Sequence, residues 1–175
     1  MPNIFVRNLA FSDFTGIAML RVFAGDEILS TGSSVIERAN GRTLYETKEV
    51  ASSTLDDFSS ENDLQALNLL KIDAEGAENL IIKGGAKTLE RFKPDILCEF
   101  LSDSKPNDAE YILKKLGYNF FCINEQVASI EHVENIVGGT NLNTMNMFLS
   151  TRSPESVLRV ADDLNLMLRK SRGDL

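Results

Sequence analysis

Asp73, Glu75 and Glu78 stand around one glycine, Gly76, in the stretch LLKIDAEGAE, Leu69 to Glu78. The apolar run from Leu67 to Ile72 ends abruptly at Asp73. That is the pattern of a buried strand delivering acids to the point where the chain turns into a helix. In open α/β sheets ligands bind beyond the carboxyl ends of the strands, so an acid there is placed for chemistry or for cofactor contact. The competing role is structural: Asp and Glu also cap helices and complement the dipole of a first helical turn. A second acid, Glu99, lies near the end of the apolar stretch DILCEFL, Asp95 to Leu101. The single histidine, His132, sits in a polar stretch and reads as exposed. Cys98 and Cys122 lie inside apolar runs without metal-ligand spacing and read as buried free thiols.

The elements that must position these residues alternate between two periods. Strands are expected at Ile4 to Leu9, Ile17 to Phe23, Leu44 to Val50, Leu67 to Asp73, Asp95 to Leu101, Tyr118 to Ile123 and Met145 to Ser150. Ala24 to Arg42, rich in Gly, Ser and polar residues, reads as a loop, as does the polar segment from Asn124 to about Asn143. Thr54 and Asp57 have the spacing of a capping box for a short helix. A helix is expected from about Gly76, interrupted at Gly84-Gly85, with a second one running to about Phe92 ahead of Pro94. Asn107 is placed to cap a helix with Ala109, Ile112, Leu113 and Leu116 on one face, stopped by Gly117. A C-terminal amphipathic helix is expected over 153–172, with Val157, Val160, Ala161, Leu164 and Leu168 on one side. This order implies an α/β domain with a largely parallel sheet, and the continuous apolar runs imply strands buried on both faces.

The chain has 175 residues, enough for one domain, and is 43% hydrophobic and 25% charged, as a globular protein with a core should be. A net charge of −8 argues against non-specific binding to nucleic acid or to an anionic membrane surface. No apolar run approaches the ~20 residues of a membrane helix. The N-terminus MPNIFVRN lacks the basic region and apolar core of a secretion signal, so a cytoplasmic location is the expectation.

NLAFSDFTG (Asn8 to Gly16), SSTLDDF (Ser52 to Phe58), LLKIDAEGAENLIIKGGAKTLERFKPDILCEF (Leu69 to Phe100), LGYNFF (Leu116 to Phe121) and TMNMFLS occur in that order. Together they resemble the FkbM family of S-adenosylmethionine-dependent methyltransferases over roughly residues 3 to 151. Members of that family open with a strand, a Gly-rich turn that holds the methionine part of the cofactor, and a second strand ending in an acid for the ribose. None of the 11 glycines here sits in such a setting at the start of a fold. The resemblance therefore implies an incomplete Rossmann-like methyltransferase fold, mostly parallel with an antiparallel last strand, in which Met1 falls just before the third strand. The expectation is a C-terminal portion of a methyltransferase forming a single partial domain over 1–175, with a non-catalytic remnant or interaction module as the alternative.

By the same resemblance, the reaction is transfer of a methyl group from S-adenosylmethionine to a hydroxyl of a sugar or natural product. Asp73 would lie near the reacting centre, with Glu75 next on the turn and Glu99 on the same rim if both strands are parallel. A carboxylate flanked by other acids has raised proton affinity and can act as a base near neutral pH. The trio could instead hold a divalent cation. Ala10, Ser12 and Asp13 would approach the adenine ring, or form a simple Asp-containing turn. Asn146 could offer its amide to the pocket or bond along a strand edge. The expected partners are a small-molecule or glycan acceptor and, if the strand Leu67 to Asp73 is left uncovered, a second copy of the chain.

Overall fold

The computed structural model describes residues 3–23, 45–100, 107–138 and 144–172. The expected loop Ala24 to Arg42 and the end of the polar segment near Asn143 lie outside those residues. The first sheet is built from β1 (Ala10–Phe11), β2 (Gly16–Phe23) and β3 (Tyr45–Ser53) in the order β1-β3-β2. β2 and β3 pair antiparallel from Gly16↔Ser52 to Phe23↔Tyr45, while β1 joins β3 parallel at Ala10↔Ser52. The second sheet contains β4 (Leu69–Ile72), β5 (Asp95–Glu99), β6 (Asn119–Asn124), β7 (Ser129–Val133) and β8 (Asn146–Ser150) in the order β4-β5-β8-β6-β7. β4 and β5 are parallel, and β8 enters antiparallel between β5 and β6. β4, β5 and β6 therefore share one direction, with β8 inverted among them.

Three expectations are corrected. The described residues form two mixed sheets whose pairings are mostly antiparallel, rather than one largely parallel sheet. Residues 4–9 form no strand: Ile4, Phe5 and Val6 are all exposed, so the apolar pattern has no described partner surface to bury against. The polar segment after Ile123 is not a plain loop. It returns as β7, antiparallel to β6 from Asn124↔Ser129 to Phe120↔Val133. The Asn124 side chain accepts from the Gln126 and Val127 amides in the turn between them, an Asx arrangement that supports a tight reversal.

Among the described residues there are five helices. α1 (Leu55–Glu61) starts as expected at Thr54, whose Oγ1 accepts from the Asp57 amide at 2.9 Å. α2 (Glu78–Gly84) and α3 (Ala86–Phe92) meet at Gly85; α1 packs on both, and α2 contacts β1 of the first sheet. α4 (Asn107–Lys115) is held by the Asn79 side chain, which accepts from the Ala109 amide at 2.8 Å. α5 (Pro154–Arg172) runs along β7, where Asn165 donates to the Ala128 carbonyl. Ile82 and Leu89 from the helices pack with Ile96, Cys98, Phe120, Met147 and Leu149 from the sheet. Each fully buried aliphatic side chain contributes ~1.5–3 kcal/mol against exposure. β5 alternates buried and half-buried residues, so it is fully covered on one face only, whereas β6 buries Phe120 and Phe121 on opposite faces. Val157 of α5 is buried, but Val160 and Leu164 are exposed. No described helix is long and apolar enough to cross a membrane.

Candidate active site

Parallel pairing of β4 and β5 runs from Leu69↔Asp95 to Ile72↔Cys98. One residue further, Asp73 just past the end of β4 and Glu99 at the end of β5 stand side by side at the carboxyl edge of the sheet. Lys71 projects from the same face of β4 as Asp73, and its Nζ lies 3.1 Å from Asp73 Oδ2. Both side chains are about half exposed, at 47% and 50%. Glu99 is half-buried. Burial, then the negative charges of Asp73 and Glu75, push its carboxyl above the ordinary Glu range, while Lys71 pulls the other way. The sheet thus gathers Asp73, Glu75 and Glu99 into one electrostatic unit.

The chain leaves β4 through a turn at Ala74–Ala77. Glu75 takes a left-handed backbone at φ 49° and Gly76 follows at φ 102°. The turn is closed by the Ala77 amide donating to the Ala74 carbonyl at 3.1 Å. Glu78, which first-turn amphipathicity would allow on the solvent side of α2, is instead buried at 1% exposure. Its Oε1 accepts from the amides of Ala74 at 3.1 Å and Gly76 at 2.9 Å.

A cavity of about 350 Å³ opens beside Asp73. Ala10, Phe11 and Leu20 line it from the first sheet, Leu70 and Ile72 from β4, and Asp73 from just beyond the end of β4. Of the three residues expected near the adenine, only Ala10 reaches it. Ser12 is buried, its amide donating to the Ser53 carbonyl at 3.1 Å, and its own carbonyl lies hard against Gly84 of α2. Asp13 is ion-paired with Lys83 at 2.9 Å, at the far end of α2 from the acidic turn.

Asn146 pairs with Glu99 across β5 and β8, but its amide donates to Glu125 at 2.6 Å. His132 lies on β7, four strands from β4, or roughly 19 Å at usual strand spacing. It is exposed, with its ring tilted against Phe121 at 5.3 Å. Cys98 is fully buried, and burial with the nearby acids pushes its thiol well up; Cys122 is half-buried, contrary to expectation. Among the described residues no group of three His, Cys, Asp or Glu side chains could hold a metal ion.

Of this site, Lys71 was not singled out from the sequence, and Glu78 was read only as one of the acids at the turn, not as the residue that closes it. Lys71 is the lone charge in LNLLKI, a signal that it reaches past the strand to a partner. For Glu78 the available signal was its position just after a turn, from which a Glu can reach back to preceding amides as in a capping box.

A family model described as methyltransferase FkbM domain matches residues 15–120. The matched span contains Asp73, Glu75 and Glu99 but not Ala10, Ser12 or Asp13. No curated protein and no solved structure gives a significant match.

Proposed function

The chain belongs to the FkbM methyltransferase family, whose members use S-adenosylmethionine, and we propose that its acidic strand edge serves methylation of a hydroxyl on a sugar or other natural product. The observation that carries this reading is that Asp73, which lines the cavity, follows the parallel register of β4 and β5 to stand beside Glu99, which lies next to the cavity but does not line it. The shared direction of β4, β5 and β6, with β8 inverted among them, supports reading the larger sheet as part of a Rossmann-like methyltransferase sheet.

The residues fit the cofactor chemically. A cavity of about 350 Å³ lies within the ~300–1,000 Å³ range of small-molecule pockets. Its apolar lining, with Phe11 among it, suits a purine, and the Asp73 carboxylate in that lining suits ribose hydroxyls. When bound, S-adenosylmethionine supplies an electrophilic methyl group on a positively charged sulfur. Ala10 and Phe11 would hold the flat apolar part, and Asp73 the polar part.

Glu99 is suited to take the acceptor's proton, because burial and its acidic neighbours raise its affinity for one. Lys71 keeps Asp73 oriented and tempers the negative charge of the edge. A second reading, an interaction module, is favoured by one observation: Leu69, on the outermost strand of the larger sheet, is 62% exposed.

The test is transfer from methyl-labelled S-adenosylmethionine to a panel of sugar and polyketide hydroxyl acceptors. It should use the native polypeptide that carries these residues. Labelled O-methyl product supports the proposal, and its absence across the panel favours the interaction module.

A further inference from the structure

Resting on that reading of Asp73, Glu75 and Glu99, the geometry points to Glu78 as the positioning residue that holds the acidic edge in place. Its buried Oε1 pins the two peptide units that directly follow Asp73 and Glu75.

The Ala74 amide belongs to the peptide linking Asp73 to Ala74, and the Gly76 amide to the peptide linking Glu75 to Gly76. Glu78 Oε1 accepts from both, at 3.1 and 2.9 Å. The rotation of each acid's backbone toward its neighbours is thereby set by one oxygen. Helix capping does not account for these bonds. α2 begins at Glu78 with Ala77 as its N-cap, so both amides lie outside the helix and before it. A carboxylate at 1% exposure is costly unless hydrogen-bonded. The strained element it secures is Glu75, a non-glycine residue at φ 49°, a conformation that disfavours L side chains. Glu78 thus sits behind the edge and acts through it, without facing the cavity.

The experiment compares Glu78→Ala with Glu78→Gln. Both remove the negative charge, but the Gln carbonyl oxygen can still accept from both amides, so the difference between them isolates positioning. Two readouts are needed, neither of which requires methyl transfer: amide exchange at Ala74 and Gly76, and the NMR titration of the Glu99 carboxyl. Exchange at both amides should accelerate by about 10- to 100-fold in Glu78→Ala and stay near wild type in Glu78→Gln. Glu99 faces Asp73, Glu75, Lys71 and Glu78. It should titrate lower in Glu78→Ala than in Glu78→Gln, because a loosened turn carries Asp73 and Glu75 away from it. Equal exchange in the two variants, or equal Glu99 midpoints, overturns the proposal.

Should Glu78→Ala not fold, Glu78→Asp takes its place, since it retracts the acceptor by one methylene; its retained charge itself acts on Glu99, so in that arm amide exchange at Ala74 and Gly76 alone decides, and exchange equal to that of Glu78→Gln overturns the proposal. In the unmodified chain, unprotected Ala74 and Gly76 amides overturn the proposal as well. Absence of methyl transfer with both readouts as expected would remove the proposed reaction and leave Glu78 as the clamp of the turn.

Discussion

Lys71 and Asp73 stand on the same face of β4 with Nζ and Oδ2 3.1 Å apart, and the same ammonium lowers the proton affinity of Glu99 on the neighbouring strand. A cation beside a carboxyl favours its charged form. Lys71→Met should therefore raise the Glu99 midpoint further above the ordinary range. If Glu99 is the base, the acid limb of the pH–rate profile should move up with it. NMR titration of labelled Glu carboxyls checks the first part and a pH–rate profile the second.

Glu99 also links stability to pH. Its carboxyl binds a proton more tightly in the folded chain than in the unfolded one. The folded state therefore holds more protons between the two midpoints, and stability falls as pH rises through that window. The contribution is fully present below the ordinary Glu value and is lost above the raised one. Glu99→Gln should flatten this segment of the curve, as followed by urea denaturation across mildly acid pH.

Gly84 tests how closely α2 seats on the first sheet. A Cβ there would come 2.1 Å from the Ser12 carbonyl oxygen, a backbone atom with little freedom to retreat. Gly84→Ala should destabilise by about 3 kcal/mol. Gly117, at φ +83° with open space around it, should cost about 1–2 kcal/mol on change to Ala, from backbone strain alone. Denaturant midpoints of the two variants measure the contrast.

Most of the strands, most helices and the adjacency of Asp73 and Glu99 were legible because they rest on local signals. Thr54 and Asp57 mark the start of α1, Gly84-Gly85 the break between α2 and α3, and the sudden Asp73 the end of β4. What was not legible depends on partners distant in sequence. Ile4–Val6 carries a strand's apolar residues, yet no described surface receives them. SIEHV of β7 is polar enough to pass for loop, and only its pairing with β6 makes it a strand. The ion pair of Asp13 with Lys83 and the seat of Gly84 against the Ser12 carbonyl join segments far apart in sequence, and neither contact is readable from NLAFSDFTG itself. Glu78 read only as one of several acids at the turn, because the sequence does not reveal which side of the turn is buried.

The exposed apolar residues set a further expectation. Leu69 on the outermost strand β4 and Val160, Leu164 and Met167 on α5 are all exposed, and an uncovered apolar edge strand invites pairing with another chain. Sedimentation at micromolar concentration should show association that weakens in Leu69→Lys if β4 is the contact, and in Leu164→Glu if α5 is. A monomer at all concentrations would show that neither surface joins copies of the chain.

The central claim is that the Asp73–Glu99 edge carries the chemistry, and the most direct measurement is the rate of methyl transfer by Asp73→Asn in the native polypeptide. Asp73→Asn keeps the size of the side chain but removes its charge. A positioned acid–base or substrate-orienting carboxylate is commonly worth ~100-fold or more in rate. Glu90→Gln, an exposed carboxylate on α3, serves as the control. The account predicts at least that ~100-fold loss for Asp73→Asn with an unchanged rate for Glu90→Gln. Asp73→Asn transferring methyl groups as fast as wild type would contradict it and return Asp73 to a capping role.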